Sequence, residues 1–154
     1  DTMQGILEII YKFDLICREI SGMDQFTFQP GSGASATYLN ACILRAYHEA
    51  NGELPQRNEV ITTIFSHPCN TATSVTAGFK VISLMPDEAT GYPSLEALKA
   101  ACSKHTAGIM IVNPEDTGIY NPRIEEWVDT VYRVGGLCFY DQANLNGILG
   151  IALS

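Results

Sequence analysis

At 154 residues the chain has the size of one domain and can bury a core without disulfide or metal staples. Apolar residues at 46% and charged ones at 17% exclude a disordered chain. Nine Lys+Arg against seventeen Asp+Glu give a net charge of −8, which makes nucleic acid and anionic membranes poor partners. No apolar run reaches the ~18–20 residues of a membrane span. The start, Asp1-Thr2-Met3-Gln4-Gly5, shows no basic-then-apolar leader, so a cytoplasmic location is expected. The five cysteines, Cys17, Cys42, Cys69, Cys102 and Cys138, are odd in number and contain no C-x-x-C pair. They read as free thiols in a reducing compartment. His48, His67 and His105 do not join them at ligand spacing, so no metal site is expected.

Ile9, Phe13, Ile16 and Ile20 recur at helical spacing and predict a first amphipathic helix that ends near Ser21-Gly22. Phe26-Thr27-Phe28 reads as a brief strand closed by Gln29-Pro30-Gly31-Ser32-Gly33. Ala34 to Ala36 open a second helix that runs to about Ala50 and stops at Asn51-Gly52. Val60 to Phe65 is an uncharged, β-branched strand, followed by a short helix from Asn70 through Ala77. Val81 to Met85 is the next strand. Ser94 then caps a helix with Leu95, Leu98, Ala101 and Cys102 on one face. Gly108 to Val112 is an apolar strand ending at Asn113-Pro114. Asn121-Pro122 reads as a helix start whose inward stripe is Ile124, Trp127, Val128 and Val131, and Gly135-Gly136 stops it. Leu137 to Tyr140 is the last strand and delivers Asp141 at its end. Short uncharged strands separated by helices predict a three-layer α/β/α domain over residues 1–154, built on a mostly parallel sheet.

Such sheets bind ligands beyond the C-terminal ends of their strands. Gly31-Ser32-Gly33-Ala34-Ser35 follows a strand and opens a helix. It is either a flexible turn with an N-cap or an anion site built from free N–H groups and the helix dipole. It matches neither G-x-x-x-x-G-K-[ST] nor G-x-G-x-x-G. Asp141 is either a cap or loop charge, or a carboxylate that pairs with a pyridinium N–H. His67 is either a satisfied loop histidine or an imidazole laid flat on a bound ring.

Together these stretches resemble the glycine decarboxylase P-protein family over essentially the whole chain. Gln29-Pro30-Gly31-Ser32-Gly33-Ala34 is similar to that family's Q-P-N-S-G-A, and Asp141-Gln142-Ala143-Asn144-Leu145-Asn146 to its D-G-A-N-M-N. His67 with Asn70, the run Ala77-Gly78-Phe79-Lys80-Val81 and the early Ser21-Gly22-Met23-Asp24 fit as well. The likeness is to the C-terminal half of the long P-protein, or to subunit 2 of its split form. Departures are His67-Pro68-Cys69-Asn70-Thr71-Ala72 for H-G-T-N-P-A, and Asn113-Pro114-Glu115-Asp116-Thr117-Gly118 for Y-P-S-T-H-G.

The resemblance implies a pyridoxal-phosphate (PLP) enzyme, with this chain as part of its aspartate-aminotransferase-type large domain. It implies that Ser32, Gly33 and Ala34 hold the phosphate, that His67 stacks on the ring, that Asp141 pairs with the ring nitrogen and that Ala143 packs beneath it. The implied reaction decarboxylates glycine and passes the aminomethyl group to the lipoyl arm of H-protein, with a partner P-protein subunit or a second copy completing the assembly. The family's Schiff-base lysine is expected beyond Ser154, and none of Lys12, Lys80, Lys99 and Lys104 stands at its place. Two further strands are expected there too, without which the first strand loses its neighbour and the strand ending at Tyr140 becomes an edge. Other readings are a non-catalytic subunit that keeps the fold, or an unrelated α/β domain for a phosphorylated small molecule.

Overall fold

The uncharged β-branched runs become the sheet. The computed structural model describes residues 2–143. Its strands are β1 (Glu59–Thr63), β2 (Lys80–Leu84), β3 (Thr106–Val112) and β4 (Leu137–Asp141). All pairings are parallel, in the order β2-β1-β3-β4. β3 is buried at every position because it has a strand on each side and a helical layer on each face.

Side chains alternate between two cores, as the pleat requires. Ile61, Ile109 and Ile111 pack with Leu95 and Leu98 of α4 (Leu95–Ala101) and with Trp127 and Val131 of α5 (Ile124–Arg133). Val60, Ala107 and Met110 point the other way, onto Ala41 and Leu44 of α2 (Gly33–Ala50) and Ala77 beyond α3 (Pro68–Thr76). The sheet is therefore covered on both faces, and the expected three-layer α/β/α arrangement is the one observed.

The N-terminal edge of the sheet is tied by a polar clamp that the sequence did not announce. His48 is fully buried, with Nδ1 2.6 Å from Glu53 Oε2 and Nε2 2.8 Å from the Ala107 carbonyl. Arg57 Nε lies 3.2 Å from Glu53 Oε1, and its Nη1 donates to the carbonyls of Thr106 at 2.9 Å and Val134 at 2.7 Å. The His48 hydrogen bond, reinforced by Arg57, holds the Glu53 carboxyl below the usual carboxylate range.

Three expectations are corrected. Phe26–Phe28 forms no strand: it pairs with none of the described strands, and Phe28 instead meets Phe13 at 5.3 Å between ring centroids. A strand is defined by its partner, which local sequence does not supply. Asn121 does not cap α5. Its backbone carbonyl, which would take the first helical bond, accepts Asn113 Nδ2 at 3.2 Å instead, its side-chain oxygen closes a turn on Arg123 N, and the helix starts at Ile124. Conversely, α3 starts earlier than expected, at Pro68, because the His67 ring caps it and proline suits the first helical position.

α1 (Gln4–Ser21) ends as expected at Gly22, whose φ of +76° only glycine adopts readily. Its expected inward residues remain open, with Ile9 at 69% and Ile16 at 55% exposed, because none of the described layers reaches them. β4 likewise has a neighbour on one side only among the described residues.

Candidate functional site at the C-terminal edge of the sheet

Parallel pairing puts every strand's C-terminus on one edge, and there the chain opens a cleft of about 490 Å³. The turn after β1 supplies His67 and the first turn of α3 supplies Cys69, α2 supplies Gly33, Ala34 and Thr37 from its first turns, and β4 with the turn after it supplies Asp141 and Ala143. Five of the six residues singled out from sequence, Gly33, Ala34, His67, Asp141 and Ala143, line it together. Ser32, the sixth, is not among the lining residues; it is the N-cap of α2, where its Oγ accepts the Ser35 N–H at 3.2 Å. The neighbouring residues Asn144 to Asn146 of the family-like motif lie outside the described residues.

Local chemistry explains each placement. The His67 Nδ1 accepts the Cys69 N–H at 3.1 Å, so the ring is fixed as the cap of α3. Thr37 Oγ1 bonds back to the Gly33 carbonyl at 2.9 Å and touches Cys69 Sγ at 3.5 Å, which joins the starts of α2 and α3. The Asp141 Oδ1 accepts the Ala143 N–H at 3.0 Å, an Asx turn that ends β4. Its Oδ2 lies 3.5 Å from Asn70 Nδ2.

Two residues near this edge escaped sequence reasoning. Asn70 was noted only as part of the motif, yet it is fully buried directly beside Asp141. Glu115, in the loop after β3, is 4% exposed. Burial pushes its carboxyl above the usual range, Asp116 adds to the rise, and the Thr63 hydroxyl counters part of it. That loop is tied down by Asp116 N donating to the Phe65 carbonyl at 3.3 Å and by Tyr140 Oη donating to the Asn113 carbonyl. No local pattern marks a glutamate after Asn-Pro as buried.

Among the described residues, no group of three or more His, Cys, Asp or Glu could hold a metal ion, and no helix is long and apolar enough to cross a membrane. None of the four lysines lines the cleft. Lys80 sits at the start of β2, on the opposite edge.

No protein-family profile matches the chain. Solved structures share its architecture: glycine decarboxylase (P-protein) of the glycine cleavage system aligns at a TM-score of 0.67 and 19% identity, over 89% of this chain and 29% of that one. An aromatic aminotransferase from Pyrococcus horikoshii aligns at 0.66 and 14% identity, over 84% of this chain and 35% of that one. The chain therefore has the α/β fold of the PLP-dependent transferases. In sequence it is 46% identical over 149 residues to the probable glycine dehydrogenase (decarboxylating) subunit 2 of Pyrococcus furiosus, covering 97% of this chain and 29% of that protein. The chain is a homologue of the glycine dehydrogenase (decarboxylating) subunit 2 proteins, and spans about 29% of the length of the curated relatives it matches.

Proposed function

We propose that the chain is part of the PLP-binding large domain of a glycine dehydrogenase (decarboxylating), and that the cleft at the sheet's C-terminal edge is the PLP site. The observation that carries this reading is the joining of Asp141, His67 and the start of α2 in one cleft, on a chain so similar to those relatives.

The residues fit such a group. A volume of about 490 Å³ lies within the range of small-molecule pockets. The first-turn N–H groups of Gly33 and Ala34, which no helical carbonyl can reach, suit a phosphate, with the Ser32 hydroxyl beside them. Asp141 would hold a proton on the ring nitrogen through a charge-assisted bond. His67, already locked by its cap, would lie against the ring face, and Ala143 would close the other side. Bound there, PLP would supply the electron sink for loss of CO2 from glycine.

The lysine that would anchor the cofactor belongs to the part of the protein this chain does not span. The proposed substrate is glycine and the proposed acceptor is the lipoyl arm of H-protein, in a cytoplasmic assembly completed by a partner subunit or a second copy. Asp141→Asn in the intact enzyme tests the reading. Activity should fall by well over tenfold with the fold unchanged by circular dichroism, since an amide cannot hold the ring nitrogen protonated by charge. Turnover within about twofold of the parent would sink the assignment.

A further inference from the structure

Asn70 owes its position to the turn between β1 and α3. With His67 as cap and Pro68 first in the helix, the third helical residue points inward beneath the cleft, and it is 0% exposed. Its backbone is held at both ends, by N–H donation to the His67 carbonyl at 2.9 Å and by acceptance from Ser74 Oγ at 2.7 Å. Its Nδ2 donates to Ser66 Oγ at 2.5 Å and faces Asp141 Oδ2 at 3.5 Å. A carboxylate only accepts, so it fixes which way the amide points: a flipped Asn70 would set oxygen against oxygen.

That orientation has a cost. The Asn70 Oδ1 is buried with no hydrogen-bond partner. An apolar side chain of the same size would bury no unsatisfied oxygen, so packing alone gives no reason for an amide here. The reason lies in the other half of the amide, which donates to Ser66 Oγ and, so held, is set facing Asp141.

We infer that Asn70 is a positioning residue: together with the Ala143 N–H on the other oxygen, it holds the Asp141 carboxylate turned toward the ring nitrogen of the cofactor. This rests on the reading of the cleft as a PLP site. Asn70 would touch neither cofactor nor substrate and would act through Asp141.

The test uses the intact protein, loaded with PLP carrying 15N in its ring. Asn70→Leu removes the amide at nearly constant size, and Asn70→Ala removes it with less packing demand should the first variant misfold. The thermal midpoint of Asn70→Leu should stay close to that of the parent, since the variant removes the unsatisfied Oδ1 while Ser66 Oγ loses its donor. PLP affinity should fall about tenfold, the equivalent of one hydrogen bond to a charged group. The ring 15N signal should move from the protonated toward the unprotonated position at neutral pH in whichever variant folds. A ring signal unchanged from the parent, in a folded variant, overturns the role of Asn70 while leaving the cleft reading intact. A parent that binds no PLP overturns both.

Discussion

Gly108→Ala couples the sheet to the site in one methyl group. Gly108 is the first partner of Leu137 in the β3–β4 ladder. A Cβ added there would stand 2.5 Å from the Leu137 carbonyl oxygen and 3.3 Å from Leu44 Cδ1. The leucine tip can turn aside, but the carbonyl belongs to the neighbouring strand. Real contacts of this kind begin near 3.0 Å, so β4 must retreat by about half an ångström at that pair. Overpacking of this size costs ~1–3 kcal/mol, and the stretched ladder bonds nearby lose part of their ~1 kcal/mol each. The sum is about 2–4 kcal/mol, or roughly thirtyfold or more in the opening equilibrium of β3 and β4. Hydrogen exchange of the β3 and β4 amides in the intact protein reads this directly, with Gly5→Ala as control because nothing lies within 4 Å of its added Cβ. Asp141 closes the same ladder, opposite Val112, so PLP binding should weaken alongside. Protection in Gly108→Ala within about threefold of the parent would refute the reasoning.

Burial holds the Glu115 carboxyl above its ordinary value of 4.5. The folded state therefore grips that proton more tightly than the unfolded one, and stability declines as pH rises from near 4.5 through the raised value. Glu115→Gln should abolish this decline in the thermal midpoint as pH rises above about 4.5, and a variant curve parallel to the parent's would count against it. Glu53 is the opposite case. Its carboxyl is held below 4.5 by His48 and Arg57, so its contribution is complete above that pH and fades as acid takes pH down through the depressed value. Glu53→Gln should flatten the acid limb of the midpoint curve below about pH 4.5, and equal acid sensitivity in both proteins would be the contrary result.

The strands were readable because burial on two faces leaves a plain mark, an uncharged and β-branched run such as Val60–Thr63 or Ile109–Val112. Caps were readable where the signal is self-contained. Ser94 takes the Ala97 N–H at 3.1 Å, within one helical turn of its own sequence. Asn121 shows where that logic stops. It carries the same local signature of cap and proline, but Asn113, eight residues earlier, takes the backbone carbonyl that would open the helical ladder. Phe26–Phe28 shows it again from the other side, since an extended aromatic run without a neighbouring strand remains irregular chain packed on α1. In both cases the deciding contact lies outside the window in which propensity acts.

At the site, the modest readings and the functional ones turn out to be the same contacts. A loop histidine satisfied by a backbone N–H is what His67 is, and that bond is also what would hold its ring steady against a cofactor. A carboxylate ending a strand in an Asx turn is what Asp141 is, and the turn spends one oxygen on Ala143 so that the other is left to Asn70 and the cleft. Sequence could suggest these residues one at a time because each follows a strand. It could quote Asn70 only as part of a motif, since the carboxylate it faces lies 71 positions away and only the parallel order β1-β3-β4 brings the two alongside. A buried amide whose oxygen goes unsatisfied is a position that burial alone does not account for, and its donor half ties Ser66 and Asp141 to the start of α3.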